Sequence, residues 1–80
     1  MISDKLKKVI LRELDLDDWD IADETTAGMV PGWDSLSHAR IIAVVEDAYQ
    51  IRLTTREILR LVNVGQLQAL IDQKVARPGA

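Results

Sequence analysis

The sequence predicts an all-α fold: a small four-helix bundle of three longer helices and a short third one, with a long loop between helices 1 and 2. Three observations predict it. Apolar residues recur at helical spacing in separate stretches around Leu6, Val45 and Ile71. Two capping signatures, Thr54-Thr55-Arg56-Glu57 and Asn63-Val64-Gly65-Gln66, mark further helix starts. No segment alternates with period two for long enough to make a strand.

The first helix runs from about Ser3 to Leu14, with Ser3 as N-cap and Ile2, Leu6, Val9, Ile10 and Leu14 as its apolar stripe. Periodicity is then lost from Asp15 to Asp34. This loop carries Gly28 and Pro31-Gly32, and Ile21, Met29 and Val30 are its expected anchors on the core. The second helix runs from about Ser35 to Gln50. Ile41, Ile42, Val45, Ala48 and Tyr49 face inward, and Leu36, Arg40, Ala43 and Asp47 form an outward stripe. The third helix is short, Thr55 to Leu61, with Leu53 and Ile58 as a hydrophobic staple. The fourth starts at Asn63 with Val62 and Leu67 as its staple. It buries Leu67, Leu70, Ile71 and Val75, and stops at Pro78-Gly79.

The 80 residues leave room for one domain, expected to be ordered from about 2 to 76 with a frayed C-terminal tail. Apolar residues at 48% exclude whole-chain disorder. With no Phe, the core must be mainly Leu, Ile, Val and Ala. The absence of cysteine excludes disulfides, thiolate metal sites and a cysteine nucleophile, and the single His38 cannot build a histidine cluster. Asp15 to Thr26 has a calcium-loop flavour. Trp19 and Asp20 stand where the third ligand and the turn glycine belong, and Thr26 replaces the final glutamate, so the run reads as a solvated loop. A net charge of −3 without a clustered basic face argues against nucleic acid. The charged N-terminus is neither a signal peptide nor a membrane span, so the chain reads as a cytoplasmic protein that binds no membrane. A monomer is the natural default.

One feature of Pro31-Gly32-Trp33-Asp34-Ser35-Leu36 asks for chemistry: a serine where the long loop turns into a helix. Asp or Ser there is the commonest N-cap choice, so Asp34-Ser35 can be a cap alone. A hydrolase is disfavoured. The second glycine of a nucleophile elbow is missing, and His38, three residues on, has no third partner. A serine at a helix N-terminus also suits a phosphate ester, whose charge the free N–H groups and helix dipole stabilise.

Asp34-Ser35-Leu36 opening the second of four helices resembles the acyl carrier protein family. The resemblance extends to Glu46 through Leu53 and to Val62 through Ile71. It implies that Ser35 carries 4′-phosphopantetheine derived from coenzyme A, with Asp34 positioning it, and that acyl groups ride on the arm as thioesters. The thiol then comes from the prosthetic group, and the chain is a carrier, not an enzyme. Implied partners are a phosphopantetheinyl transferase, an acyl- or aminoacyl-loading ligase or transferase, and a ketosynthase or other tailoring enzymes. Leu36, Arg40, Ala43 and Asp47 are the implied docking stripe. His38, Ile42, Val45, Tyr49, Leu59 and Leu67 are the implied lining of an acyl pocket.

Arg40 stands where the family commonly has glutamate, and Trp33 is not the usual housekeeping residue before Asp-Ser. Trp33 is read as packing the loop end onto the bundle, with bracing of the arm as the sharper alternative. These departures, with Met1 directly before the first helix, point to a freestanding carrier of a specialised route. The alternatives are an aminoacyl or peptidyl carrier of a nonribosomal pathway, and an unmodified carrier-like helical interaction domain.

Overall fold

A computed structural model describes residues 2–76. The Pro78-Gly79 stop and the frayed tail lie outside the described residues. Four helices follow in order: α1 (Asp4–Glu13), α2 (Ser35–Tyr49), α3 (Thr55–Leu59) and α4 (Val64–Val75). There is no strand among the described residues. None of these helices is long and apolar enough to cross a membrane.

Each helix begins at a side-chain oxygen that accepts from an otherwise unpaired backbone N–H of the first turn. Ser3 caps α1, Asp34 caps α2, Thr54 caps α3 and Asn63 caps α4. Such a cap is worth about 1 kcal/mol. At α3 the box closes both ways: Glu57 N–H donates to Thr54 Oγ1 at 3.1 Å, and Thr54 N–H donates to Glu57 Oε1 at 2.9 Å. At α4 the return bond reaches one residue further back, from Val62 N–H to Gln66 Oε1 at 2.8 Å. α2 ends on Gln50, whose φ of 55° is left-handed and turns the chain away.

Leu6, Ile10, Ile41, Val45, Val64 and Ile71 form the fully buried centre, where α1, α2 and α4 meet. Leu11 joins this core although the expected stripe omitted it. Gln68 is buried too. Its Oε1 accepts from Ser3 N–H at 2.9 Å and its Nε2 donates to Asp72 at 2.9 Å, so burial leaves neither end unpaired and ties α1 to α4.

The long loop is pinned to the bundle at four points. Ile21, Thr25, Val30 and Trp33 are buried. Val64 N–H donates to Thr25 O and Gly65 N–H to Asp23 O, which stitches the loop onto the start of α4. A β-carbon at Gly65 would lie 2.8 Å from that Asp23 oxygen, so this close approach requires glycine.

Three expectations are corrected. Met29 is not an anchor: it ends a short 3-10 turn, Ala27–Met29, that turns it outward at 60% exposure while Val30 goes in. Val75 is half exposed on the last turn of α4. α3 stops at Leu59 because Arg60 and Leu61 bond three residues back, the tighter pattern that ends a helix.

Candidate functional site

The loop enters α2 through a turn that only glycine adopts freely, Gly32 with φ 80°. Asp34 follows in extended conformation, and its carboxylate accepts from Ser37 N–H at 2.9 Å and from the Ser37 hydroxyl at 3.0 Å. The backbone bond from Ser37, then its hydroxyl, hold the Asp34 carboxyl below the usual carboxylate range, against a small opposing effect of desolvation. The same Ser37 hydroxyl also reaches Gly32 O at 2.7 Å. Two serines two residues apart are therefore in opposite states. Ser37 is locked into the cap. Ser35, the first residue of α2, is exposed, and its hydroxyl makes no hydrogen bond among the described residues. Of the N–H groups at this helix start, that of Ser37 is taken by Asp34.

Beside this junction Trp33 is buried and donates from Nε1 to His38 Nδ1 at 3.0 Å. The two rings stack, with centroids 6.0 Å apart and planes inclined by 29°. Trp33 thus clips the end of the loop to the first turn of α2. An indole N–H can only donate, so His38 Nδ1 is an acceptor, and in the neutral ring Nε2 carries the proton. The pair walls a cavity of about 50 Å³. Ala27 from the loop, Leu61, Val62 and Asn63 from the α3–α4 connection, and Val64 and Leu67 from α4 complete it.

Comparison with protein-family models and with curated proteins found no match. Among solved structures the chain is similar to the solution NMR structure of a holo acyl carrier protein from Geobacter metallireducens. The two superpose with a TM-score of 0.87 at 38% identity, over 92% of this chain and 85% of that one. The chain belongs to the acyl carrier protein family.

Seen as a member of the acyl carrier protein family, the chain keeps the expected outward stripe in solvent. Leu36, Arg40, Ala43 and Asp47 are all exposed, Leu36 at 63%. Arg40 pairs with no carboxylate among the described residues. The six residues expected to line an acyl pocket divide. His38 and Leu67 line the cavity, whereas Ile42 and Val45 are buried in the core behind it. Tyr49 lies at the far end of α2, where the Lys5 ammonium sits 4.3 Å from its ring centroid. Its hydroxyl is buried and finds no hydrogen-bond partner among the described residues. Leu59 is 79% exposed at the end of α3 and does not line this cavity, contrary to expectation.

Sequence reasoning did not place Ala27, Trp33, Leu61, Val62, Asn63 and Val64 in this lining. Asn63 was legible only as a cap, and its Oδ1 does accept from Gln66 N–H at 2.8 Å.

Proposed function

We propose that this chain carries acyl groups as thioesters on a 4′-phosphopantetheine arm joined to Ser35 Oγ, and presents them to partner enzymes. The observation that carries the reading is the exposed Ser35 hydroxyl, unpartnered among the described residues at the first position of α2. It is combined with likeness to a holo acyl carrier protein over 92% of the chain. The residues present fit the group: no side chain covers Ser35, and the hydroxyl needs no existing bond to be broken before it becomes an ester oxygen.

When bound, the arm supplies the thiol that cysteine-free chains of this kind lack, and the reach to move a thioester between enzymes. The rest is the work of the chain. Asp34 and Gly32 hold Ser37 and the loop end, so Ser35 is presented from a fixed helix start. The positive end of the α2 dipole favours an anionic ester there. Leu36 offers an apolar contact next to the attachment point, and Arg40, Ala43 and Asp47 continue that exposed stripe for partner docking. Arg40 reverses the charge the family commonly carries, which supports partners dedicated to this chain. Tethering raises the effective concentration of the cargo at each partner. Bond making and breaking then reside in the partners, and the chain itself has no catalytic task.

The test is intact mass after incubation with coenzyme A and a broad-specificity phosphopantetheinyl transferase, with Ser35→Ala in parallel. A single phosphopantetheine added to the wild type and none to the variant is expected. No addition with several transferases would favour the interaction-domain reading, in which Asp34 and Ser35 serve only to start a helix.

A further inference from the structure

The chain is acidic overall, with a net charge of −3, yet its exposed charge is unevenly placed. α3 is the clearest case. Glu57 turns toward α4, where its carboxylate meets the Lys74 ammonium at 2.8 Å. Ile58 and Leu61 pack against the core. Helical spacing then leaves Arg56, Leu59 and Arg60 to solvent, and all three are exposed. Arg56 and Arg60 are four residues apart, so they lie side by side and repel. Neither pairs with a carboxylate among the described residues, and the same holds for Arg40 on α2 and Arg52 before α3.

Two contacts fix how α3 lies beside α2. Leu53 N–H, just before α3, donates to Glu46 near the end of α2 at 2.9 Å. Leu61 and Val62, just after α3, line one cavity with His38 on the first turn of α2. The two helices therefore run in opposite directions, with the end of α3 beside the start of α2. That order brings exposed Leu59 and Val62 to the end that carries exposed Leu36. Arg40 stands on the outward side of α2, and Arg56 and Arg60 on that of α3, so both helices present arginine beside exposed apolar groups. The nearby carboxylates are mostly engaged: Asp34 in the cap, Glu46 with Leu53 and Glu57 with Lys74. On these two helices Asp47 alone is an exposed acid, on the last turn of α2. Most other acids collect in the loop, which is tied to α1 by Lys7 and Asp18 at 3.5 Å and to α4 by Gly65 N–H and Asp23 O at 2.8 Å.

We propose that the α2–α3 face docks a partner protein whose own contact surface is an apolar ridge flanked by Asp and Glu side chains. The arginine forks pair with those carboxylates at the rim, while Leu36, Leu59 and Val62 meet the ridge. A partner whose contact surface is rich in lysine and arginine is repelled by the same arginines. Charge complementarity of this kind sets the choice of partner and the rate of encounter. The inference deepens the docking part of the proposed function and rests on it.

The probe is a stapled amphipathic helix with one leucine face and glutamates along both edges, compared with the same helix carrying lysines there. Each is titrated into the isotope-labelled chain, and the backbone amide shifts give both the affinity and the face used. The glutamate helix is expected to bind about tenfold more tightly, which is what two or three exposed ion pairs together supply. Its shifts should fall on Leu36, Arg40, Arg56, Leu59 and Arg60. The preference should vanish near 1 M salt, where charges are screened within about 3 Å. Arg56→Gln with Arg60→Gln should shrink the preference, and Arg56→Glu with Arg60→Glu should invert it. Both positions are exposed, so the variants keep the fold. Equal or tighter binding of the lysine helix, no binding of either at about 1 mM, or shifts confined to other faces would overturn the inference. So would shifts that change with the concentration of the chain alone, which would make a second copy the occupant. A chain that fails these tests and still takes phosphopantetheine on Ser35 keeps the carrier reading. A chain that prefers the glutamate helix but takes no phosphopantetheine loses that reading and keeps the docking face.

Discussion

The buried Tyr49 hydroxyl is an unpaid polar group: it has lost water and gained no partner among the described residues. Tyr49→Phe removes the hydroxyl and keeps the ring under Lys5. The variant should be more stable by about 1 kcal/mol, which raises the melting temperature of a domain this size by roughly 4–8 °C. A lower melting temperature would mean that the hydroxyl does useful bonding. At this scale the sequence was legible where the chemistry is local. The caps at Ser3, Asp34, Thr54 and Asn63 could be read because cap and capped N–H lie within three residues. The difference between Ser35 and Ser37 could not, because it depends on where Gly32 O lies after a left-handed turn. Nor could the Trp33–His38 bond, since Trp33 precedes the helix and helical spacing does not set its direction.

Among the elements, the loop of residues 15–34 and the start of α2 decide how the site is presented. Gly65→Ala would set a β-carbon against the Asp23 backbone, which cannot move aside like a side-chain tip. A loss of about 1–3 kcal/mol is expected in denaturant unfolding, with faster hydrogen exchange at Val64, whose N–H holds Thr25 O. Unchanged stability would mean that the loop is not held there. The start of α2 responds to acid. Asp34 has a carboxyl lowered by its bonds from Ser37. Its contribution is therefore fully present above the unfolded aspartate value and is lost as pH falls through the lower, folded one. Asp34→Asn can still cap but does not titrate, so its stability should fall less steeply on acidification than that of the wild type. Parallel acid limbs would remove Asp34 from the account. The helices themselves were legible from periodicity. In the loop, Ile21, Val30 and Trp33 were legible as apolar anchors in a polar run, whereas the buried Thr25 was not, because its carbonyl bonds to Val64 N–H far along the chain.

The whole molecule has a radius of gyration of 11.8 Å, close to the roughly 12 Å of a tightly folded chain this long. It has a thin aliphatic core, and a recess of about 50 Å³ lies between the start of α2 and the α3–α4 connection. Such a body suits a carrier, with Ser35 and Leu36 at the solvent end of α2 and the chemistry left to partners. The central claim is that the attachment point is Ser35 and not its neighbour in the cap. Fragmentation mass spectrometry of the loaded chain tests it most directly. The account predicts the whole added mass on Ser35, with Ser37 unmodified. Added mass on Ser37, or on any other residue, would contradict it.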